Sequence, residues 1–307
     1  MTHIRTMVAL GILSVAIANG PARAETSPVP AILQQFTSTV ATEREAGFYA
    51  LLDLGTASLS APVSSAIVSQ QIGALLAAYP ADAANIASAL IALLSAENAA
   101  PETGLEEMIT PDPAIETNYG LYYADLVTAV VALNDVRSLP LLAPLTDTGN
   151  MVINRVVSFG PPALDAVLTT TYRLEPLVRD GATFALLRML DSSHIALFND
   201  PTSLSKIRAG LIRVKSLATL PSMASRADGG LQTLPPLVPG DLNGDGKVNC
   251  DDLAIIRASF HKEVGQPGFD IRADLNGDGV VNGKDARAFR KLVGHELECD
   301  KYDDDGE

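Results

Sequence analysis

Two segments of the chain place oxygen-bearing side chains at the same positions of a twelve-residue pattern, namely positions 1, 3, 5, 9 and 12. In segment 241–252 these residues are Asp241, Asn243, Asp245, Asn249 and Asp252. In segment 274–285 they are Asp274, Asn276, Asp278, Asn282 and Asp285. Calcium is a hard cation that prefers about six to eight oxygen ligands, and this spacing allows one short loop to surround one ion. The sequence therefore predicts two calcium ions, one in each loop.

The remaining positions of the two loops agree with this interpretation. Position 6 is Gly246 in the first loop and Gly279 in the second, where the chain must turn sharply and a Cβ would obstruct it. Position 7 offers a main-chain carbonyl oxygen, from Lys247 and from Val280, and needs no particular side chain. A single such segment is equally well explained as a surface loop rich in turn-forming residues. Its repetition with matching oxygens and glycines favours calcium binding.

Each loop is expected to lead into one helix, and the first loop is not preceded by one. Pro235, Pro236 and Pro239 lie just before it, and proline is incompatible with a helix interior. Position 12 is aspartate, whereas the EF-hand pattern has glutamate there. The apolar stripes expected on the two exit helices consist of Leu253, Ile256 and Phe260, and of Ala286, Phe289, Leu292 and Val293.

A calcium loop followed by one exit helix, present twice, resembles the type I dockerin module over residues 240–299. The resemblance implies a small double loop-helix domain, binding of two Ca²⁺ ions and a cohesin-like protein partner. It also implies a setting of polysaccharide degradation, in which dockerins usually accompany glycoside hydrolases. A secreted glycoside hydrolase with its site in residues 25–222 is accordingly the alternative function. Such an enzyme needs two carboxylates that flank the sugar.

Type I dockerins present near-symmetric recognition residues at loop positions 10 and 11 and on the exit helices, and this chain keeps the symmetry only in part. The first copy has Cys250 and Asp251 at those loop positions, whereas the second has Gly283 and Lys284. On the helices, Arg257 corresponds to Arg290, but Ala258 corresponds to Lys291. Arg257, Arg290 and Lys291 are the candidate partner contacts. The resemblance then implies one binding orientation, with Arg290 and Lys291 facing an acidic partner surface.

The first 24 residues have the organisation of a cleaved export signal. A short basic start precedes an apolar run over 7–18, and Ala22-Arg23-Ala24 forms a small-x-small cleavage site. The apolar run is shorter than the roughly 20 residues that a membrane-spanning helix requires. We therefore expect a secreted or periplasmic protein with no membrane span in the mature chain.

Cys250 and Cys299 are the two cysteines of the chain. In an oxidising compartment an even number of cysteines favours a disulfide. The dockerin arrangement brings the ends of the module close together, which implies that these two residues could pair. A free buried thiol is the alternative.

Residues 25–222 are rich in alanine and leucine and are expected to be helical, so that the whole chain is all-α. From about residue 119 the pattern resembles HEAT-type repeats, in which an arginine after an apolar residue opens the second helix of a pair, as at Val178-Arg179. An irregular all-α domain is the alternative. Residues 223–239 are interpreted as a Gly/Pro-rich linker and 300–307 as an acidic tail.

Composition and motifs argue against two other functional classes. The formal net charge is −14, and nucleic-acid binding depends on clustered basic residues, so a nucleic acid is not an expected partner. No His-Glu-x-x-His, Gly-x-Ser-x-Gly or phosphate-loop motif occurs in the sequence. The chain also lacks tryptophan, although sugar-binding sites favour aromatic platforms. No catalytic residue is therefore predicted.

Overall fold

The protein is all-α in the residues that the computed structural model describes, which are 27–55, 65–99, 118–236, 238–293 and 299. The expected export signal, residues 1–24, and the acidic tail, 300–307, lie outside them. Within these residues, eleven α-helices of nine or more residues and two short ones, α1 and α6, follow one another. They are α1 Val29–Leu33, α2 Ala41–Asp53, α3 Ser65–Ala78, α4 Ala83–Ala99, α5 Asn118–Leu133, α6 Leu139–Leu142, α7 Asn150–Ser158, α8 Pro161–Thr170, α9 Pro176–Met189, α10 Pro201–Ser216, α11 Pro221–Thr233, α12 Cys250–Ala258 and α13 Gly283–Val293.

Four consecutive helices begin at a proline, namely Pro161, Pro176, Pro201 and Pro221. Proline is well suited to the first helical position, because its fixed φ fits the helix and its missing N–H would have no partner there. Asp200 caps α10, and its side chain accepts a hydrogen bond from the Ser203 main-chain N–H. These local signals explain why the chain divides into short helices joined by tight connections.

The helices α1 to α11 bury one continuous apolar core. Fully buried members include Phe48, Leu90, Val130, Leu186 and Leu211, which come from helices spread along this part of the chain. Neighbours in sequence also pack on each other, with α9 against α8 and α10, and α10 against α11. Consecutive helices thus share one buried core. The resemblance of this region to HEAT-type repeats stays a prediction.

Arg179, which the HEAT-type resemblance places at the start of the second helix of a pair, is buried in the first turns of α9. Its Nη1 donates hydrogen bonds to the carbonyl oxygens of Arg173 and Leu174 at 2.8 and 2.6 Å. The guanidinium therefore binds main-chain carbonyls in the connection between α8 and α9.

The linker predicted over 223–239 is wrong for its first part, because residues 221–233 form α11. Gly230 is buried at a helix contact rather than placed at a hinge. A Cβ on Gly230 would lie 2.5 Å from Cδ2 of Leu187 and 2.9 Å from Cδ1 of Leu211. Glycine at this position lets α11 approach α9 and α10, so close packing explains it better than flexibility.

The C-terminal domain has a small core of its own, made by Leu242, Ile256, Ala273, Val281 and Phe289. The segment between its two loops also reaches the helical region. Ile271 belongs to the large core of α1 to α11, and Phe269 packs against both cores. The two parts of the chain are therefore in apolar contact.

The apolar stripes predicted for the exit helices are wrong at one residue each. Ile256 and Phe289 are buried as expected, whereas Phe260 is 38% and Leu292 47% exposed.

Within the described residues no helix is both long enough and apolar enough to cross a membrane.

Candidate metal centre

In the first loop, at 241–252, the side-chain oxygens are held by the main chain of the same loop. Asp241 accepts hydrogen bonds from the N–H groups of Gly244 and Gly246, at 2.7 and 2.8 Å. Asn243 accepts from the N–H of Asp245, and Asp245 accepts from that of Lys247, both at 2.8 Å. Successive oxygens are therefore turned inwards along the loop.

The second loop, at 274–285, repeats these contacts. Asp274 Oδ1 accepts from the N–H of Gly277 at 2.9 Å, and its Oδ2 accepts from that of Gly279 at 3.0 Å. Asn276 accepts from the N–H of Asp278 at 2.7 Å, and Asp278 accepts from that of Val280 at 3.1 Å. The sequence repeat is thus also a structural repeat.

The carboxylates at position 12, Asp252 and Asp285, are fully buried and join the two ends of each loop. Asp252 accepts hydrogen bonds from the N–H groups of Leu242 and Asn243 at the start of the loop and from that of Asn249 at its end. Asp285 accepts in the same way from Asn276 and Asn282. These carboxylates close each loop and fix its diameter.

The residues at positions 9 and 12 also cap the N-termini of the exit helices. The Asn249 side chain accepts from the N–H of Asp251, and Asp252 accepts from the N–H of Asn249. Asn249 and Asp252 together form a capping box at the start of α12. Asn282, Lys284 and Asp285 repeat the arrangement at α13. The same residues that are candidate ligands therefore hold each helix to its loop.

The glycines at position 6 are required by the backbone. Gly246 and Gly279 both have φ of +85°, in the left-handed region that side chains rarely adopt. Val280, whose carbonyl oxygen is the candidate ligand at position 7, accepts a hydrogen bond from the Asn282 amide at 3.2 Å. Its counterpart Lys247 occupies the same place after Gly246.

The donor set of each loop fits calcium rather than a softer metal. Within the described part of the chain, no group of three or more His, Cys, Asp or Glu side chains is close enough to hold a metal ion by itself. The loops instead alternate carboxylates with asparagine amides and a main-chain carbonyl, and calcium uses all three kinds of oxygen. Because the loop backbone already orients these oxygens, small movements could gather them around an ion.

Asp278 is also paired with a cation of its own loop. The Lys284 ammonium lies 2.9 Å from Asp278 Oδ2. This contact lowers the pKa of the Asp278 carboxyl below its usual value, although burial acts in the opposite direction. The carboxylate therefore stays ionised at neutral pH.

The second loop contacts the helical region, a relationship that the sequence does not indicate. The Tyr172 hydroxyl, just after α8, donates a hydrogen bond of 2.7 Å to Asp274 Oδ2. Burial raises the pKa of Tyr172 above its usual value, and the bond to Asp274 raises it further. The phenol therefore keeps its proton and acts as the donor. No local spacing could have revealed this contact, because 102 residues separate the partners.

Arg213 and Ser205, both on α10, make further polar contacts with this domain. Arg213 Nη1 donates to the carbonyl oxygen of Gly277 in the second loop. The Ser205 hydroxyl donates to the carbonyl oxygen of Leu242 in the first loop at 2.6 Å. Both loops are thus hydrogen-bonded to the same helix of the large core, α10.

A cavity of about 460 Å³ lies at this junction, between α10 and the C-terminal domain. Ile212 and Arg213 line one side, and Asp274 and Leu292 line the other. The partial exposure of Leu292 follows from this position at the border of the cavity rather than within the small core.

A second cavity of about 330 Å³ brings two carboxylates, Asp165 and Asp270, near Phe269. Both are paired with cations, Asp165 with Lys206 and Asp270 with Arg272, each at 2.7 Å. Burial acts to raise the pKa of Asp270, but the hydrogen bonds from Arg272 outweigh it and lower that pKa. A glycosidase needs a carboxylic acid of raised pKa, and Asp270 does not have one. The hydrolase hypothesis for residues 25–222 stays a prediction.

The predicted disulfide between Cys250 and Cys299 is confirmed. The two sulfur atoms are bonded, and the Cα atoms lie 5.5 Å apart, within the usual range for a disulfide. The bond ties position 10 of the first loop to the end of the domain.

The three candidate partner contacts lie on the surface. Arg257 is near the end of α12, Arg290 and Lys291 are near the end of α13, and all three are exposed. The structure therefore leaves these positions accessible, and their role in partner binding stays a prediction.

Comparison with known proteins agrees with the geometry of the C-terminal domain. Residues 239–293 match the family model of the dockerin type I domain. No curated protein and no solved structure matches the chain. With its two equivalent loops and two exit helices, the C-terminal part of this chain, residues 239–293, is a dockerin type I domain.

Proposed function

We propose that the chain is an exported calcium-binding protein whose dockerin domain attaches it to a cohesin-like protein. The observation that carries the proposal is that the family match, at 239–293, coincides with both loops and both exit helices. Dockerin domains are protein-interaction modules whose typical partner is a cohesin. The helical region would then be the part delivered to an assembly, in a setting of polysaccharide degradation.

Calcium is proposed to bind at both loops. Each loop has three carboxylates among its candidate ligands, and two carboxylates about 5 Å apart repel by roughly 3 kcal/mol at an effective dielectric constant near 20. A bound divalent cation converts this repulsion into attraction, so binding and folding of the domain should be coupled. The oxygens at positions 1, 3, 5, 7, 9 and 12 would supply the ligands.

A single partner orientation is proposed, with α13 as the main contact. Helix α13 exposes four cationic side chains, those of Lys284, Arg287, Arg290 and Lys291. Helix α12 carries one cation, Arg257, and also the exposed Asp251, and its first residue, Cys250, is in the disulfide. An acidic partner surface would therefore favour α13, because the two helices differ in charge.

Calcium titration of the whole mature chain tests the first half of the proposal. Isothermal titration calorimetry should give two ions per chain, and excess chelator should lower the temperature at which the dockerin domain unfolds. The variant Asp245→Ala with Asp278→Ala removes one exposed ligand from each loop and should abolish both effects. A wild-type chain whose unfolding is the same in calcium and in chelator would refute calcium binding.

Binding of immobilised chain to type I cohesin domains, measured with calcium and with chelator, tests the second half. We expect binding in calcium only. Arg290→Ala with Lys291→Ala should weaken it by more than about 1 kcal/mol, as expected for central contacts. Arg257→Ala is the matched control on α12 and should have a smaller effect. Equal losses from both helices would contradict a single orientation.

A further inference from the structure

The two loops are equivalent in their own contacts but differ in their surroundings. Asp241, at position 1 of the first loop, is partly exposed, whereas Asp274, at position 1 of the second, is only 7% exposed. At the second loop, the Tyr172 hydroxyl reaches Asp274 from the helical region. Within the described residues, no tyrosine hydroxyl contacts Asp241 in the same way.

The Tyr172 hydroxyl acts on one oxygen of this carboxylate. Asp274 Oδ1 accepts from the N–H groups of Gly277 and Asp278, at 2.9 and 3.1 Å. Oδ2 accepts from the N–H of Gly279 at 3.0 Å and from Tyr172 at 2.7 Å. Four donors therefore hold the carboxylate, and the shortest of these bonds is the one from Tyr172. Rotation of the Asp274 side chain away from the loop would break that bond.

Tyr172 is itself held firmly. The Arg213 guanidinium stacks on its ring, with Cζ 3.5 Å from the ring centroid, and Phe269 packs edge-on at 5.6 Å. The ring also lies against the second loop, since a Cβ on Gly279 would be 3.5 Å from Cδ1 of Tyr172. The hydroxyl is therefore presented to Asp274 from a fixed position.

We infer that Tyr172 is a positioning residue for the second calcium site, so that calcium affinity in this loop depends on docking of the dockerin domain against the helical region. The inference rests on the proposed calcium binding. Outer-shell hydrogen bonds orient metal ligands, and their loss typically lowers metal affinity about 10- to 100-fold. Because coupling is reciprocal, calcium in the second loop also stabilises the docked arrangement.

The experiment measures calcium affinity of the two loops separately in the whole mature chain. Asp245→Ala leaves only the second site, and Asp278→Ala leaves only the first. Tyr172→Phe removes the hydroxyl but keeps the ring that packs on Arg213 and Phe269. We expect Tyr172→Phe to weaken calcium binding about 10-fold or more in the Asp245→Ala background. In the Asp278→Ala background the affinity should not change.

Tyr49→Phe is the matched control, because the Tyr49 hydroxyl also donates to an aspartate, Asp125, at 3.0 Å, inside the helical region. It should leave both affinities unchanged. If Tyr172→Phe weakens both sites equally, or neither, or if Tyr49→Phe has the same effect, the inference is overturned. A wild-type chain that binds no calcium would instead overturn the proposed function itself.

Terbium provides a second readout of the contact. The chain has no tryptophan, so terbium in the second loop would be sensitised by tyrosine, and among the described residues Tyr172 lies against that loop. At saturating terbium in the Asp245→Ala background, Tyr172→Phe should remove most of the sensitised emission. Undiminished emission would show that Tyr172 does not lie at the site.

Discussion

The Arg213 guanidinium stacks on the Tyr172 ring at 3.5 Å and donates a hydrogen bond to Gly277 of the second loop, so one arginine joins α10, the turn after α8 and the dockerin domain. We predict that Arg213→Ala loosens this junction and lowers the free energy of unfolding by about 2 kcal/mol, the combined scale of a cation–π contact and a charged hydrogen bond. Limited proteolysis should then cut faster near residues 234–240.

Arg226→Ala is the control for this prediction. The Arg226 guanidinium stacks on the Phe184 ring, with Cζ 4.6 Å from the ring centroid, and this pair lies within the helical region. The variant should destabilise the helical region without faster cleavage near residues 234–240. If both variants are cleaved there at the same rate, Arg213 does not hold the junction.

A second prediction separates the two roles of the loop carboxylates. Asp252 is buried and accepts three main-chain hydrogen bonds, whereas the exposed Asp245 accepts one from the main chain. Asp252→Ala and Asp245→Ala each remove one candidate ligand and one negative charge from the same loop. In excess chelator, Asp252→Ala should be less stable than Asp245→Ala by about 2 kcal/mol, because it leaves more buried N–H groups without a partner. Urea unfolding measures the difference, and equal stabilities would argue against the role of Asp252 in closing the loop.

The third prediction concerns the Cys250–Cys299 disulfide, which closes a loop with a sequence separation of 49 residues. In the chain-entropy model a cross-link over such a loop stabilises the folded state by about 4 kcal/mol. A reducing agent should therefore lower the unfolding temperature of the dockerin domain. The variant Cys250→Ala with Cys299→Ala should start lower and show no response to the reductant. Intact mass with two free thiols in the untreated protein would contradict the disulfide.

The fourth prediction is that Arg44 and Glu97 stabilise the helical region only as a pair. Glu97 is fully buried, and Arg44 donates to both of its carboxylate oxygens, at 2.7 and 3.2 Å. Removing one member of a buried ion pair typically costs about 3–5 kcal/mol. Arg44→Met should therefore be strongly destabilising, and adding Glu97→Gln should recover part of the loss. Gln keeps an acceptor for the Tyr122 hydroxyl, which donates to Glu97. Urea unfolding of the single and double variants gives the coupling, and simple additivity would show that the pair is not coupled.

Much of the dockerin domain could be predicted from the sequence, because its chemistry is local. A loop with oxygens at set spacings and glycine at position 6 depends on bonds within about a dozen residues, and the main-chain contacts of Asp241 and Asp274 follow that spacing. The all-α class likewise follows from local helix preference in an alanine- and leucine-rich chain.

Positions that depend on neighbouring elements could not be predicted in this way. Gly230 appears in sequence as part of a flexible linker, but it is a close-packing residue because Leu187 and Leu211 happen to face it. Leu292 continues an apolar pattern, yet it borders a cavity because α10 stands at a distance from α13 there. In both cases the sequence specifies the residue type, and the neighbours decide its role.

By itself, then, the sequence determined the two loops, their candidate ligands and the cysteines available for a disulfide. Only the tertiary structure decided that the loops differ, since Tyr172 and Asp274 are 102 residues apart and meet through the packing of α8, α10 and the segment around Ile271. Local spacing is set by the covalent chain, whereas a contact between distant segments exists only when the burial of apolar surface brings them together.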